Sequence, residues 1–212
     1  MNIELFEKDF SEKLHKNFPE LTKYFEVRPE IFFELETLIY EINKCLILEF
    51  HRATITLTNN LLERLLKLAL IYNEAGIGPI PTEQWNSVFE GPNQRYGSID
   101  LGNSIEKCKK LELISKAEKI ILFDTIRELM RNGFSHADSS KILSNLPDDS
   151  KAFEGNLHNP TDIKKVSINQ KVIPFLQALQ MENFAKATAK DYFDFVFKLI
   201  FQIEKRIIEK QK

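Results

Sequence analysis

Residues 31–75 contain neither proline nor glycine. A stretch of that length without a helix breaker is too long for one ordinary globular helix. It predicts either a bent helix or two helices meeting near residues 46–52. Its second half, ATITLTNNLLERLLKLALIY, sets Ile55, Leu57, Leu61, Leu62, Leu65, Leu66, Ala69 and Leu70 on one broad apolar face. Glu63, Arg64 and Lys67 lie between them, a pattern that suits the central helix of a bundle. Only 7 Gly and 8 Pro in 212 residues favour long regular elements over turn-rich β structure, and 17 Phe supply bulky core material. The expected fold class is all-α: an up-and-down helical bundle with extra helices, in one domain spanning 1–212.

The rest of the chain punctuates itself. Ile3, Phe6, Phe10, Leu14 and Phe18 form a helical stripe that Pro19 is expected to interrupt. Gly76-Ile77-Gly78-Pro79-Ile80-Pro81 breaks the long helical run. A short helix over residues 82–89 is expected next, with Thr82 as its cap and Glu90-Gly91-Pro92-Asn93 after it. Another helix is expected from about 101–104 to 111. Ser115 and Glu118 form a capping-box pattern at the head of a helix reaching about residue 134. Residues 139–182 are the least regular, with Lys165-Val166-Ser167-Ile168 as the one strand-like run. A strong amphipathic helix closes the chain over 183–210.

The formal charge of −2 and pI near 6.1 provide no global basic field, so any nucleic-acid contact must come from a local patch. Glu30, Glu34, Glu36, Glu41 and Glu49 read as a solvated acidic helix face. Cys45 and Cys108 show no CxxC or zinc spacing and read as buried or half-buried thiols. The opening MNIELFEKDF lacks the basic-then-apolar order of a signal peptide. No apolar run approaches the ~18 residues of a membrane span. A cytoplasmic location without membrane association is the expectation.

Four histidines narrow the chemistry. His15 lies in the first helix, His51 starts the helix that holds Glu63, and His158 sits in a loop. His136 stands at a helix end in Arg131-Asn132-Gly133-Phe134-Ser135-His136, close in sequence to Arg127, Glu128 and Asp138. Arg131 presents a permanent planar fork for phosphate oxygens, and His136 titrates near neutrality. Metal-free RNA cleavage needs a base for the ribose 2′-hydroxyl, an acid for the leaving 5′-oxygen and a cation for the phosphorane. At ~100° per residue on an α-helix, positions 131 and 136 lie about 140° apart. A break at Gly133, or a second copy of the chain, is the expected remedy. A helix-terminal Arg and a capping His are the structural alternative.

These residues resemble the signature of the HEPN superfamily, in which Arg, often followed by a polar residue, precedes His by four to six positions. Arg131, Asn132 and His136 match with four residues between. ATITLTNNLLERLLKLAL resembles the earlier long helix of these bundles, and IEKCKKLELISKAEKIILFDTIRELMRNGFSHAD the two helices that follow. The resemblance implies a four-helix core over about residues 30–140 plus the helix at 183–210. It implies a metal-independent endoribonuclease without cofactors, of the kind that serves as a toxin or phage-defence effector, yielding 2′,3′-cyclic phosphate and 5′-hydroxyl ends. Arg131 would stabilise the scissile phosphate, Asn132 would position it and His136 would transfer protons. Glu63 would support them, with core-edge solvation or a pairing with Arg131 as its structural alternative, and the partners would be RNA, a second copy completing the site and a cognate antitoxin or regulatory protein. Lys107, Lys109, Lys110 and Lys119 are the expected local positive charge for RNA. Asp138 stands where one toxin branch carries a modified tyrosine, which argues against that route of regulation. A non-catalytic HEPN-like module binding nucleotide, RNA or protein is the alternative, and an unrelated helical interaction protein is a third.

Overall fold

The computed structural model describes residues 2–135, 142–144, 147–156 and 159–212. Helix α1 (Ile3–Leu21) is capped by the Asn2 side chain, which accepts from the Glu4 amide at 3.2 Å. Pro19 lies inside α1 and does not end it. The carbonyl four residues back belongs to exposed His15, where water can replace the missing amide. A short helix α2 (Lys23–Glu26) and a 3₁₀ turn (Phe33–Leu35) lead into α3 (Glu36–Ile47).

The unbroken run of the sequence divides as expected, into α3 and α4 (His51–Ala75). The turn between them puts Glu49 at φ 61°, a left-handed conformation that costs a non-glycine residue about 1 kcal/mol. Helix α1 holds that turn from outside. Lys16 Nζ lies 2.9 Å from the Glu49 carboxylate, and Asn17 Nδ2 donates to the Ile47 carbonyl at 2.8 Å. Gly76, at φ 92°, ends α4 in a conformation that glycine alone adopts freely.

Helix α5 (Trp85–Tyr96) follows a 3₁₀ turn at Thr82–Gln84 and corrects two expectations. Thr82 makes no capping bond, and Pro92 sits inside the helix where a break was expected. Pro92 is buried, so its ring gains core packing against the hydrogen bond it removes. Helix α6 (Leu101–Lys110) is capped by Asp100, which accepts from the Asn103 amide at 2.9 Å. Helix α7 (Lys116–Ile120) starts at Ser115 with the expected capping box and continues as a π-helix (Ile121–Ser135).

Residues 139–182 contain more order than their sequence suggested. Strands β1 (Ser150–Asn156) and β2 (Asn159–Ile168) form an antiparallel hairpin, pairing Ser150 with Ile168 and Phe153 with Lys165. The final helix α8 (Pro174–Gln211) begins nine residues earlier than expected, with Pro174 in its first turn.

Helix α4 is the centre of the bundle and packs against α3, α5, α6, the π-helix and α8. Ile55, Leu61, Leu62, Leu65, Leu66, Ala69 and Leu70 are wholly buried, as the apolar stripe predicted, while Leu57 is partly buried. Tyr192 of α8 meets Asn59 of α4, and Gln211 meets Tyr72, so these two helices run in the same direction. The π-helix runs against both: Phe134 stacks on Phe184, and Glu118, at the other end of the same helical run, binds Arg206. Cys45 and Cys108 are free thiols; burial raises the pKa of each. Among the described residues, no helix is long and apolar enough to cross a membrane.

Candidate functional site

The helical run that carries Arg131 begins and ends differently. At its start, the Ser115 hydroxyl accepts from the Glu118 amide at 3.1 Å, while the Glu118 carboxylate accepts the Ser115 amide. The same carboxylate takes both arms of the Arg206 guanidinium, at 2.8 and 3.0 Å. Burial pushes the Glu118 pKa up, but the bonds from Arg206 and Ser115 outweigh it and leave it below the usual carboxylate value. Charge at this end is consumed in holding the fold.

Further along, the backbone winds as a π-helix from Ile121 through Gly133 to Ser135. The expected break at Gly133 is therefore not how the chain departs from α-helical geometry; its pitch changes instead. Long π-helical runs are rare, and shorter ones are frequent at functional sites. Side-chain bonds anchor this segment inside the bundle. Asn59, 6% exposed, donates from Nδ2 to the Met130 carbonyl at 3.0 Å, and its Oδ1 accepts from the Tyr192 hydroxyl at 2.7 Å. Tyr192 is buried, and burial, with a smaller contribution from the Glu63 charge, raises its pKa and keeps the hydroxyl a donor. Three helices are thus joined by one polar relay at the residue before Arg131.

Arg131 and Asn132 are described by their backbone alone, and His136 and Asp138 lie outside the described residues. Phe134, in the same turn as Arg131, is buried against Phe184, with ring centroids 6.2 Å apart. The Arg52 guanidinium lies over the Phe134 ring at 5.8 Å, which brings a second, solvent-exposed cation to the motif end. Beside it His51 opens α4, and its pKa is lowered, mainly by burial, with Lys186 adding to the effect against Glu49 and Glu182.

Glu63 stands one helical turn beyond Asn59 on α4, on the side that meets the relay, and its charge reaches Tyr192. The four lysines belong to the opposite end. Lys119 pairs with Glu106 at 2.7 Å, and Lys107 lies over the Tyr96 ring at 5.8 Å. Lys109 and Lys110 close α6, whose beginning, not its end, approaches the π-helix at Arg127. Twelve residues, nearly three helical turns at this winding, separate Lys119 from Arg131. A groove of about 610 Å³ between α4 and α5, lined by Trp85, Phe89 and Arg64 among others, contains none of the expected catalytic, supporting or RNA-binding residues. Among the described residues, no group of three His, Cys, Asp or Glu side chains is arranged to hold a metal ion.

Sequence reasoning missed Asn59, Tyr192 and Arg52. Asn59 did leave a signal: an amide inside a Leu-rich stripe must find partners when buried. Compared with known proteins, the chain matches no family model, no curated protein and no solved structure.

Proposed function

We propose that this chain is a metal-independent endoribonuclease of HEPN type, acting as a homodimer in which two Arg131–His136 motifs face one phosphate. The observation that supports this reading is the anchoring of the motif's backbone: Asn59 ties the Met130 carbonyl into the core immediately before Arg131. A catalytic cation gains most when its own backbone is fixed by its surroundings.

The proposed reaction needs no water and no metal. One imidazole takes the proton of the ribose 2′-hydroxyl, whose oxygen attacks phosphorus. The P–O5′ bond breaks, and the departing oxygen takes a proton from the second, protonated imidazole. A 2′,3′-cyclic phosphate and a 5′-hydroxyl result. Arg131 stabilises the phosphorane, Asn132 orients the phosphate, and Arg52 adds positive charge where the strand approaches. Glu63 acts as a supporting residue through the Asn59–Tyr192 relay.

The test is incubation of RNA with the wild type and His136→Ala in EDTA, with analysis of the new ends. Wild type should leave cyclic phosphate, and the variant should lose activity by about 100-fold or more. Equal cleavage by both, or none by the wild type, would remove the nuclease reading. RNA retained without cleavage would favour the non-catalytic binding module.

A further inference from the structure

A second site lies away from the motif, between residues 24–29 and the face of α3 that carries Glu36, Tyr40 and Asn43. These positions recur at helical spacing and so share one side of α3. They enclose a cavity of about 240 Å³. The rings of Phe25 and Tyr40 meet edge to face in its wall, with centroids 5.9 Å apart. Asn43 lines it too and is 0% exposed, yet its Oδ1 has no donor; its Nδ2 reaches the Tyr24 carbonyl only at 3.5 Å. A buried acceptor without a donor is unfavourable, and a ligand that supplies one recovers the loss.

Size and charge narrow the ligand. One water, at about 30 Å³, would leave most of the cavity empty. Drug-sized ligands occupy roughly 300 Å³ or more, so a single ring is the better fit. Arg28 and Glu36 both line the cavity, and neither forms an ion pair with a described residue. Opposite charges beside an aromatic pocket match the carboxylate and ammonium of an amino acid.

We propose that this cavity binds tyrosine, its ring packed against the Phe25–Tyr40 pair and its phenol donating to Asn43 Oδ1. Arg28 takes the α-carboxylate and Glu36 the α-ammonium. A tyrosine side chain of a peptide offers the same phenol without the free charged groups. The proposal is independent of the nuclease reading.

Ligand-observed NMR titration of the full chain with L-tyrosine, L-phenylalanine and N-acetyl-L-tyrosinamide tests it. Tyrosine should bind about tenfold or more tightly than phenylalanine, which lacks the donor. Asn43→Leu should abolish that preference and Asn43→Asp, which keeps an acceptor, should retain it, with circular dichroism confirming that each is folded. Arg28→Ala changes an exposed residue and does not depend on core packing. It should weaken free tyrosine about fivefold and leave the capped ligand unchanged if the free amino acid is the source. Capped ligand binding as tightly as free tyrosine, with Arg28→Ala altering neither, would assign the phenol to a peptide and uphold the site. Equal affinity for tyrosine and phenylalanine, or no binding by any of the three, would overturn the proposal.

Discussion

The two ends of the helical run 116–135 are fixed by different chemistry. The first is closed by ions: Glu118 and Arg206 in bidentate contact, with Ser115 completing the cap. The second is tied by neutral groups, Asn59 and Tyr192, which act on the backbone at Met130. Charge paired inside a protein is committed to its partner and cannot serve a ligand. Neutral anchors fix a backbone and leave the chemistry of the next residue to other uses. The contrast directs the search for a functional cation to Arg131 and away from Arg206.

Removing one partner at the ionic end should have the largest effect on stability. Arg206→Ala leaves Glu118 buried beside an empty space and should cost about 3 kcal/mol in urea unfolding near neutral pH. Because the folded Glu118 pKa is lowered, its contribution is present above its ordinary value of 4.5 and is lost as pH falls through the folded one. The gap between wild type and variant should therefore shrink below about pH 4.5. An unchanged gap at low pH would show that the pair is not what holds this end.

At the neutral end, Asn59→Ala should cost about 2 kcal/mol, since the Tyr192 hydroxyl loses its acceptor. Tyr192→Phe removes the donor alone and should cost about 1 kcal/mol. A double mutant costing the full sum of both would mean the two residues do not form one relay. The smallest effect is at His51. Its folded pKa lies below the ordinary 6.5, so the unfolded chain binds the extra proton first. Stability should fall as pH drops below about 6.5, and His51→Gln should flatten that part of the profile. An identical slope in the variant would exclude His51 as its origin.

Features written locally were legible in the sequence. The capping box is two side chains serving each other's amides three residues apart, and it appears as spelled. The break near residue 49 and the stop at Gly76 follow from the length limits and φ preferences of helices. Features without a buried pattern were not legible. Phe153 and Ile163 in the hairpin are 73% and 61% exposed, so no core face imposes the alternation by which a strand is recognised. Helix α8 starts at Pro174, but its buried stripe begins at Met181, and the stripe is what the apolar pattern reports. The π winding of Ile121–Ser135 leaves no local mark, because it depends on what the surrounding helices demand of that backbone. Arg52 beside Phe134 joins residues eighty-two positions apart, beyond any spacing rule.

The two arginines allow the sharpest measurement. Single-turnover cleavage of RNA in EDTA by Arg131→Ala and Arg206→Ala, each corrected for its folded fraction, separates the two ends. Arg131→Ala should unfold with the wild-type midpoint yet cleave about 100-fold or more slowly. Arg206→Ala should unfold far more readily yet cleave normally per folded molecule. Full activity in Arg131→Ala, or a loss confined to Arg206→Ala, would contradict the account.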